Sequence, residues 1–406
     1  MRADAIQGPA HVWFLRKLLA AMGHPPIRVK LWTGDVLGGP EDAPSIRVGD
    51  PGASARLVLD PELAVGDLYV EGRLDIEGDL AAFLSAAFRG RSDVGLARRL
   101  LPRRLIERAL DTDLGTATRN AQHHYDVGNA FYELWLDERM VYTCAYFPRP
   151  EASLEEAQIA KLDHVCRKLA LRPGERVVEA GCGWGALALH MARFYGVQVR
   201  AFNVSHEQIL YAREQAEKGG LSDRVEFVED DYRNISGRYD AFVSVGMLEH
   251  VGLEHYDTLG RLIERSLEPA GRGFLHTIGR SRRQRLNRWI HQRVFPNAHP
   301  PTLGEMMRIL EPRDLAVLDV ENLRLHYRLT AWHWLRRFER ELPRIEAMVG
   351  RERARTWHFY LAGTVASFET ASMCLYQVLF TRATNDAIPW SRAHVYTGEP
   401  AQFGEV

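Results

Sequence analysis

A glycine-rich turn directly after a short apolar strand is the feature that most constrains the fold of this chain. Residues 177–185 read Val-Val-Glu-Ala-Gly-Cys-Gly-Trp-Gly, and a helix-like stretch begins at Ala186. Three glycines at alternate positions (Gly181, Gly183 and Gly185) remove the Cβ where a backbone must turn tightly and approach a ligand. The pattern predicts a cofactor-binding turn, although an ordinary tight strand-to-helix connection has the same glycine spacing.

The acid before the first glycine indicates which cofactor fits this turn. Glu179 lies at the predicted carboxyl end of the strand, where a carboxylate would repel phosphates. A dinucleotide site would instead have the spacing G-x-G-x-x-G. S-adenosylmethionine (SAM) carries a sulfonium and an ammonium but no phosphate. The pattern E-x-G-x-G-x-G therefore favours a methyltransferase-type site.

Length and composition set the wider limits. The chain of 406 residues exceeds a typical single domain, so two domains are expected. A net charge of −1 predicts neither nucleic-acid nor membrane binding by the molecule as a whole. The 4 cysteines are scattered without metal-ligand spacing, which predicts no metal site and fits a reducing cytoplasm. The N-terminus has no signal-peptide pattern, and its apolar run His11–Met22 is shorter than the ~20 residues that span a bilayer.

Patterns along the chain predict three segments. Residues 1–95 show strand-like alternation, including Ala55–Leu59, and a closing helix, which predicts a small α+β domain. Residues 96–118 form a basic linker whose arginines and leucines can lie on anionic headgroups, or pack as a solvated connecting helix. Residues 119–406 are predicted to form the catalytic domain.

Strand and helix patterns alternate from residue 152 onward, which predicts an α/β fold with a doubly wound, Rossmann-like sheet. Ligands bind such sheets at the carboxyl ends of the strands. Leu315–Asn322 and Arg324–His326 are also strand-like, and Thr330–Arg382 is predicted as a helical tail. The earlier predicted strands are 176–179, 197–204, 225–229, 239–245 and 273–277.

Polar residues follow the second and third of these strands. Asn203 and Gln208, with Val204 between them, stand where many SAM enzymes have an acid that binds the ribose hydroxyls. A plain strand end with a helix cap is the alternative. Asp231 and Tyr232 follow the third strand, where an acid beside an aromatic ring can bind adenine and cover its face.

Two further polar residues lie at the predicted rim where the reacting methyl group would sit. Glu249 follows the fourth strand, and His276 ends the next. A carboxylate there can hold a proton acceptor or stabilise positive charge. Capping of the following helix is the alternative role for Glu249, and a single histidine such as His276 is more often structural.

Several ordered motifs resemble the cyclopropane-fatty-acyl-phospholipid synthases, a family of SAM-dependent methyltransferases that includes the mycolic acid synthases. The resemblance extends over residues 120–382, and segment 61–75 is similar to that family's small lipid-engaging domain. The motifs are Tyr125–Asn129, Met140–Phe147, Glu179–Gly185, Ser244–Gly252, His276–Gly279, Phe295–Asn297, and His326-Tyr327 with Trp334.

The resemblance implies transfer of a methylene carbon from SAM to the cis double bond of an unsaturated phospholipid acyl chain, which gives a cyclopropane fatty acid. An alkene is a poor nucleophile, so such a site must be dry, and cationic intermediates must meet π faces or anions. A bound bicarbonate would be the base. By resemblance, its ligands would be the side chains of Glu249, His276 and Tyr327 and the main chain of Cys144 and Ile278. Tyr142 and Thr143 would close over SAM.

The family also implies partners and a location: unsaturated phospholipids at the membrane surface, no nucleic acid, a possible homodimer, and a cytoplasmic protein at the inner face of the membrane. Two departures stand out. Thr364 replaces a cysteine of the C-terminal helix once assigned as catalytic, so a thiol nucleophile is doubtful. The segment 279–285 is unusually basic, and its arginines either bind headgroup phosphate or form a solvated loop.

Three rival functions stay open from the sequence. A methyltransferase of the same fold can leave a methyl or methylene branch instead of a ring. A lipid-binding protein can retain the cofactor pocket without activity. A soluble small molecule can be the methyl acceptor.

Overall fold

The computed structural model describes residues 9–89, 128–284, 286–296, 298–397 and 401. The predicted linker 96–118 lies outside the described residues, as do Tyr125, Asp126, Val127, Arg285 and Asn297 of the sequence motifs. The predicted domain boundaries near residues 95 and 118 fall in the same part of the chain and stay predictions.

The described residues fall into two compact units, one within 1–127, 285–296 and 334–370, the other within 128–284, 297–333 and 371–406. The helices are α1 (Pro9–Ala21), α2 (Pro51–Leu59), α3 (Pro61–Val70), α4 (Leu80–Arg89), α5 (Asn129–Tyr132), α6 (Leu154–Lys168), α7 (Ala186–Tyr195), α8 (His206–Lys218), α9 (Tyr256–Ser266), α10 (Arg288–Arg293), α11 (Leu303–Leu310), α12 (Arg324–Arg340), α13 (Leu342–Val349), α14 (Arg351–Glu369) and α15 (Ala393–Thr397). The strands are β1 (Arg28–Leu31), β2 (Val36–Gly38), β3 (Ser45–Val48), β4 (Leu74–Glu77), β5 (Arg176–Ala180), β6 (Gln198–Asn203), β7 (Val225–Glu229), β8 (Tyr239–Val245), β9 (Leu267–Gly279), β10 (Leu315–Asn322) and β11 (Cys374–Arg382).

The second unit contains a seven-stranded sheet in the order β10-β11-β9-β8-β5-β6-β7. Strands β5 to β9 are parallel, and the chain order reverses on either side of β5. The carboxyl ends of β5, β6, β7, β8 and β9 therefore lie along one edge of the sheet, and the glycine-rich turn lies at the switch point where ligands bind. This topology confirms the predicted doubly wound α/β fold.

Helices cover both faces of this sheet. Neighbouring residues of a strand point to opposite faces, and Val177 and Val178 accordingly belong to two different apolar clusters. The cluster of Val177 includes Leu162 of α6, whereas the cluster of Val178 includes Leu262 of α9 and Ile309 of α11. Burial on both faces explains why the strands read as continuous apolar runs.

Three predicted elements were wrong. Cys374–Arg382 is not the end of a helical tail but strand β11, which runs antiparallel between β9 and β10 and is buried along most of its length. Arg324–His326 is the first turn of α12 and not a strand. Ala55–Leu59 lies in helix α2, because Asp50 caps that helix by accepting from the Ala53 amide and Pro51 occupies its first turn.

The first unit is built around a small sheet in the order β2-β1-β3-β4. Helix α3 meets α10 there at Gly66, where an added Cβ would lie 2.4 Å from the indole nitrogen of Trp289. The guanidinium of Arg293 pairs with Asp67 at 3.1 Å, and that of Arg355 lies 4.0 Å from the ring centre of Tyr69. Among the described helices, none is long and apolar enough to cross a bilayer.

Candidate active site

The glycine-rich turn after β5 has three glycines with positive φ, namely Gly181 (85°), Gly183 (54°) and Gly185 (85°). Their reasons for being glycine differ. A Cβ on Gly185 would lie 2.7 Å from the Phe227 ring, so that glycine is needed for packing of α7 against the sheet. No described atom lies within 4 Å of a Cβ on Gly183, which leaves its backbone open to a ligand.

Glu179 is a buried acid at the carboxyl end of β5. Burial raises the pKa of this carboxyl to about 8, although the charge of Lys161 and the Ala188 amide in the first turn of α7 lower it. Among the described residues, its Oε2 has no hydrogen-bond partner. A buried carboxyl with one unpaired oxygen becomes ionised when a cation binds beside it. The Glu179 site therefore fits a positively charged cofactor such as SAM.

The predicted ribose contacts lie beside the same turn. Nδ2 of Asn203 donates to Oε1 of Gln208 at 2.6 Å and to the Gly183 carbonyl at 3.3 Å. Its Oδ1 accepts from the Val204 amide at 2.9 Å. The three predicted residues at the end of β6 are thus brought together with the middle glycine of the turn.

The predicted adenine contacts lie next to them, in the short turn Tyr232–Asn234 after β7. The Asp230 amide donates to the Asn203 carbonyl at 3.1 Å, which places this turn beside the end of β6. Asp231 accepts from the Arg233 guanidinium at 2.8 and 2.7 Å, and that contact lowers the pKa of its carboxyl. Asp231 therefore has a structural role in its own turn, and its contact with adenine stays a prediction, as does that of Tyr232.

The segment Val141–Phe147 runs past the ends of the central strands. Gly246, directly after β8, has φ of 75°, and a Cβ there would lie 2.8 Å from Cγ2 of Thr143. Two amides further along the segment bond to α12: Ala145 donates to Thr330 Oγ1 at 3.0 Å, and Phe147 donates to His326 Nδ1 at 2.9 Å.

These contacts hold the segment that contains Tyr142 and Cys144 near α12. Tyr327 lies on that helix and is buried. The ring centre of Tyr142 lies 5.2 Å from that of Trp135. Cys144 is fully buried, and burial raises the pKa of its thiol far above the ordinary value. The Cys144 thiol therefore stays protonated and is a poor nucleophile, which leaves its main chain as the part available to a ligand.

Glu249 lies in the short turn Leu248–His250 after β8, and His276 lies within the adjacent parallel strand β9, where it pairs with Val245. Thr277 Oγ1 donates to Glu249 Oε2 at 2.7 Å, and the Gly246 amide donates to the His276 carbonyl at 2.8 Å. Both side chains are buried. Ile278 follows His276 and Thr277 in β9. It is half-buried and pairs with Leu375 of β11.

The protonation of His276 is set by its surroundings. Burial lowers its pKa well below the ordinary value, and the charges of Lys161 and Lys168 lower it further, so the ring is neutral at pH 7. Gln377 Nε2 donates to His276 Nδ1 at 3.2 Å, which assigns the ring proton to Nε2. In the part of the chain that the structure describes, Nε2 has no partner. A buried N–H donor of this kind fits an anionic ligand.

Sequence reasoning missed four residues that support this site: Gln158, Lys161, Thr277 and Gln377. Gln158 and Lys161 are buried on α6, and their spacing of three residues places both on one side of the helix, which was a usable signal. Thr277 and Gln377 gave no signal, because their partners lie in other elements of the fold. The described residues contain no group of three or more His, Cys, Asp and Glu side chains able to hold a metal ion.

The two departures from the family pattern have structural explanations. Arg280 of the basic segment is buried and donates to the Pro300 carbonyl at 2.7 Å and to the Gln284 carbonyl, so it holds its own loop and is not available to a headgroup. Arg282 and Arg283 are exposed. The Thr364 hydroxyl donates to the Tyr360 carbonyl one turn earlier in α14, at 2.9 Å.

Comparisons with known proteins agree with this fold. A family model described as mycolic acid cyclopropane synthetase matches residues 112–378. A probable fatty acid methyltransferase of Pseudomonas putida is 35% identical over 392 residues, which cover 92% of this chain and 97% of the relative. The cyclopropane-fatty-acyl-phospholipid synthase of Escherichia coli K12 is 34% identical over 352 residues, covering 86% of this chain and 90% of that enzyme. Among solved structures, the mycolic acid cyclopropane synthase CmaA1, complexed with S-adenosylhomocysteine (SAH), has a TM-score of 0.61 and 27% identity, covering 65% of this chain and 98% of that one.

Proposed function

This chain belongs to the mycolic acid cyclopropane synthetase family and is a SAM-dependent methyltransferase, and from that premise we propose that it adds a methylene carbon across the cis double bond of unsaturated phospholipid acyl chains. The observation that carries the proposal is a pair of buried groups, Glu249 in the turn after β8 and His276 in the neighbouring strand β9. Glu249 is held by Thr277, and among the described residues His276 presents an N–H donor without a partner in a neutral ring. A buried acid and a neutral donor on adjoining elements suit a small anion better than they suit a nucleophilic amine or hydroxyl.

We propose bicarbonate as that anion, with Glu249, His276, Tyr327 and the main chain of Cys144 and Ile278 as its ligands. When bound, bicarbonate supplies a base that accepts the proton lost as the ring closes. His276 donates through Nε2, while Gln377 fixes its tautomer through Nδ1. The protonated Cys144 thiol and the helix-bonded Thr364 hydroxyl leave the described chain without an activated nucleophile at these positions.

SAM supplies the carbon as an electrophilic methyl group. We propose that the turn with Gly181, Gly183 and Gly185 leaves room for SAM beside its main chain and that Glu179 neutralises the SAM ammonium. Asn203 and Gln208, with Val204 between them, would contact the ribose, and Asp231 and Tyr232 the adenine. Tyr142 and Thr143 would cover the cofactor and exclude water, which keeps charge interactions in the chamber strong.

Two vesicle assays test the reaction. Purified full-length protein with SAM and vesicles of dioleoyl phospholipid should release SAH, whereas vesicles of the saturated distearoyl lipid should give none. Equal release from both lipids would reject an alkene as the acceptor. Removal of dissolved carbonate should lower turnover, and added bicarbonate should restore it. Turnover that is indifferent to bicarbonate would reject the proposed base and leave the methyl acceptor standing.

A second candidate, an uncyclised methyl- or methylene-branched product, is favoured by one finding: a relative covered over 97% of its length is named a probable fatty acid methyltransferase. Both products have the same mass, so chromatography against cyclopropane and branched standards separates them. Segment 328–333, between Tyr327 and Trp334, also differs from the family arrangement, and we propose it as a place where the two activities differ.

We also propose peripheral attachment at the inner face of the membrane, which the lipid substrate requires of a chain whose described helices cannot cross a bilayer. The basic linker is the proposed contact. Replacing Arg98, Arg99, Arg103 and Arg104 with glutamine should weaken sedimentation with anionic vesicles, most strongly at low salt. Unchanged sedimentation would rule the linker out. A homodimer stays a prediction that ultracentrifugation can test.

A further inference from the structure

The buried face of α6 carries a lysine that the proposed chemistry leaves without a role. Lys161 is 1% exposed. A buried ammonium is costly unless it is paired and hydrogen-bonded. In the described ranges, Lys161 has no direct ion pair, and its hydrogen bond runs from Nζ to Thr143 Oγ1 at 3.1 Å. Burial without a carboxylate in direct contact leaves the bond to Thr143 as the feature to explain.

The contacts of α6 with the cofactor-covering segment supply one. One turn before Lys161, Gln158 Nε2 donates to the Thr143 carbonyl at 2.9 Å and to the Val141 carbonyl at 3.3 Å. Side chains of α6 thus bond to both the carbonyl and the hydroxyl of Thr143. From the other side, its methyl group lies against Gly246. Three residues from two elements therefore fix Thr143, which is proposed to close over SAM.

We propose that Lys161 is a positioning residue for cofactor binding, which acts by holding Thr143 in place through the Nζ–Oγ1 hydrogen bond. The inference rests on the proposed role of Thr143 and assigns to the reaction a residue outside the sequence motifs. The ammonium uses one of its three N–H groups on Thr143. Its charge also acts on Glu179, Cys144 and Asp137, which surround it from β5, the covering segment and the loop after α5.

Electrostatics agree with a cation at this position. Burial lowers the pKa of Lys161 to about 8, while Asp137, Cys144 and Glu179 raise it, so most molecules carry the charge at pH 7. The same charge helps keep His276 neutral. A methionine at position 161 would fill similar space without a charge or a hydrogen-bond donor. It would preserve the packing and remove both the bond to Thr143 and the charge that acts on His276.

SAH binding by isothermal calorimetry tests the proposal without requiring turnover. Lys161→Met should weaken SAH binding roughly tenfold to a hundredfold, the range for a lost hydrogen bond to a charged group. Lys161→Gln, which keeps a donor, should recover part of the affinity. The matched control is Lys168→Met, a buried lysine seven residues later on the same helix that pairs with Asp319 at 2.8 Å and Glu321 at 2.7 Å. It should lower the unfolding temperature and leave SAH affinity unchanged.

A double-mutant cycle separates positioning from general stability. Because Lys161 is proposed to act through Thr143, the double variant Lys161→Met/Thr143→Val should bind SAH little more weakly than Thr143→Val alone. Independent, multiplying losses would overturn the proposal, as would Lys161→Met binding SAH like the wild type. In steady-state assays the loss should appear in KM for SAM more than in kcat. Failure of the wild type to bind SAH would overturn the cofactor assignment itself, which distinguishes that failure from one confined to Lys161.

Discussion

The close approach of Gly246 to Thr143 allows the covering segment to be perturbed by a single methyl group. In Gly246→Ala the new Cβ would lie 2.8 Å from Thr143 Cγ2, well inside ordinary van der Waals contact. Thr143 must then move away from the strand ends or lose its bonds to α6. We expect overpacking to cost about 1–3 kcal/mol, in addition to about 1–2 kcal/mol for placing an alanine at φ of 75°.

Gly174→Ala is the matched control. Gly174 has φ of 85°, and no described atom lies within 4 Å of its Cβ position, so this variant carries the backbone cost without a clash. Urea unfolding measures the shared loss of stability, and calorimetry measures SAH binding. We predict that Gly246→Ala weakens SAH binding about tenfold or more, equivalent to about 1.4 kcal/mol, whereas Gly174→Ala binds SAH normally. Equal SAH affinity in the two variants would refute the placement of Thr143 over the cofactor.

Three further predictions concern individual side chains. Glu249→Gln should lower kcat by on the order of 10²-fold with SAH affinity largely retained; near-normal turnover would show that Glu249 is not part of the reacting site. Because Glu179 has its pKa raised to about 8, the native protein binds a proton between pH 4.5 and 8 that the unfolded chain releases, and the free energy of unfolding falls as pH rises through that range. The wild type should lose up to roughly 4 kcal/mol of unfolding free energy over this range, and Glu179→Gln should not. Urea unfolding of both proteins at pH 5 and pH 8 measures the difference, and parallel pH dependence would show that the carboxyl is ionised throughout. Thr364→Val should leave kcat within about twofold, since the hydroxyl is bonded within its own helix, and a large loss of turnover would reopen a catalytic role for this position.

Local signals were sufficient for the central sheet and for the residues at its edge. The alternation of apolar strands with helices predicted β5 to β9, and the glycine spacing predicted the turn with its positive φ values. Glu249 and His276 were predicted at this edge because each followed or ended a predicted strand, and parallel strands end at one edge; their role in the reaction stays a prediction.

The elements that the sequence misassigned depend on distant parts of the chain. The run Cys374–Arg382 follows a long helix and is largely apolar, which does not separate a buried strand from a helix. Its identity is fixed by β9 and β10, between which it inserts. Ala55–Leu59 alternates like a strand, yet the cap at Asp50 and Pro51 starts a helix. In that case a local signal was present and outweighed the alternation.

The supporting polar residues were hidden for a similar reason. Gln377 and Lys161 lie about a hundred residues or more from His276 along the chain, and only the tertiary fold brings them near it. Arg280 had the opposite effect, since a basic run indicated a surface contact, whereas folding buries that arginine against the Pro300 carbonyl. The role of a buried polar group depends on its hydrogen-bond partner, and the tertiary fold sets that partner.

The fate of the transferred carbon tests the central claim most directly. Full-length protein would be incubated with SAM labelled with carbon-13 in its methyl group and with dioleoyl phospholipid vesicles, and the extracted lipid would be examined by NMR. The account predicts that the label appears as the methylene carbon of a cyclopropane ring within the acyl chain. Label found only in a methyl or methylene branch, or no label in the lipid at all, would contradict it.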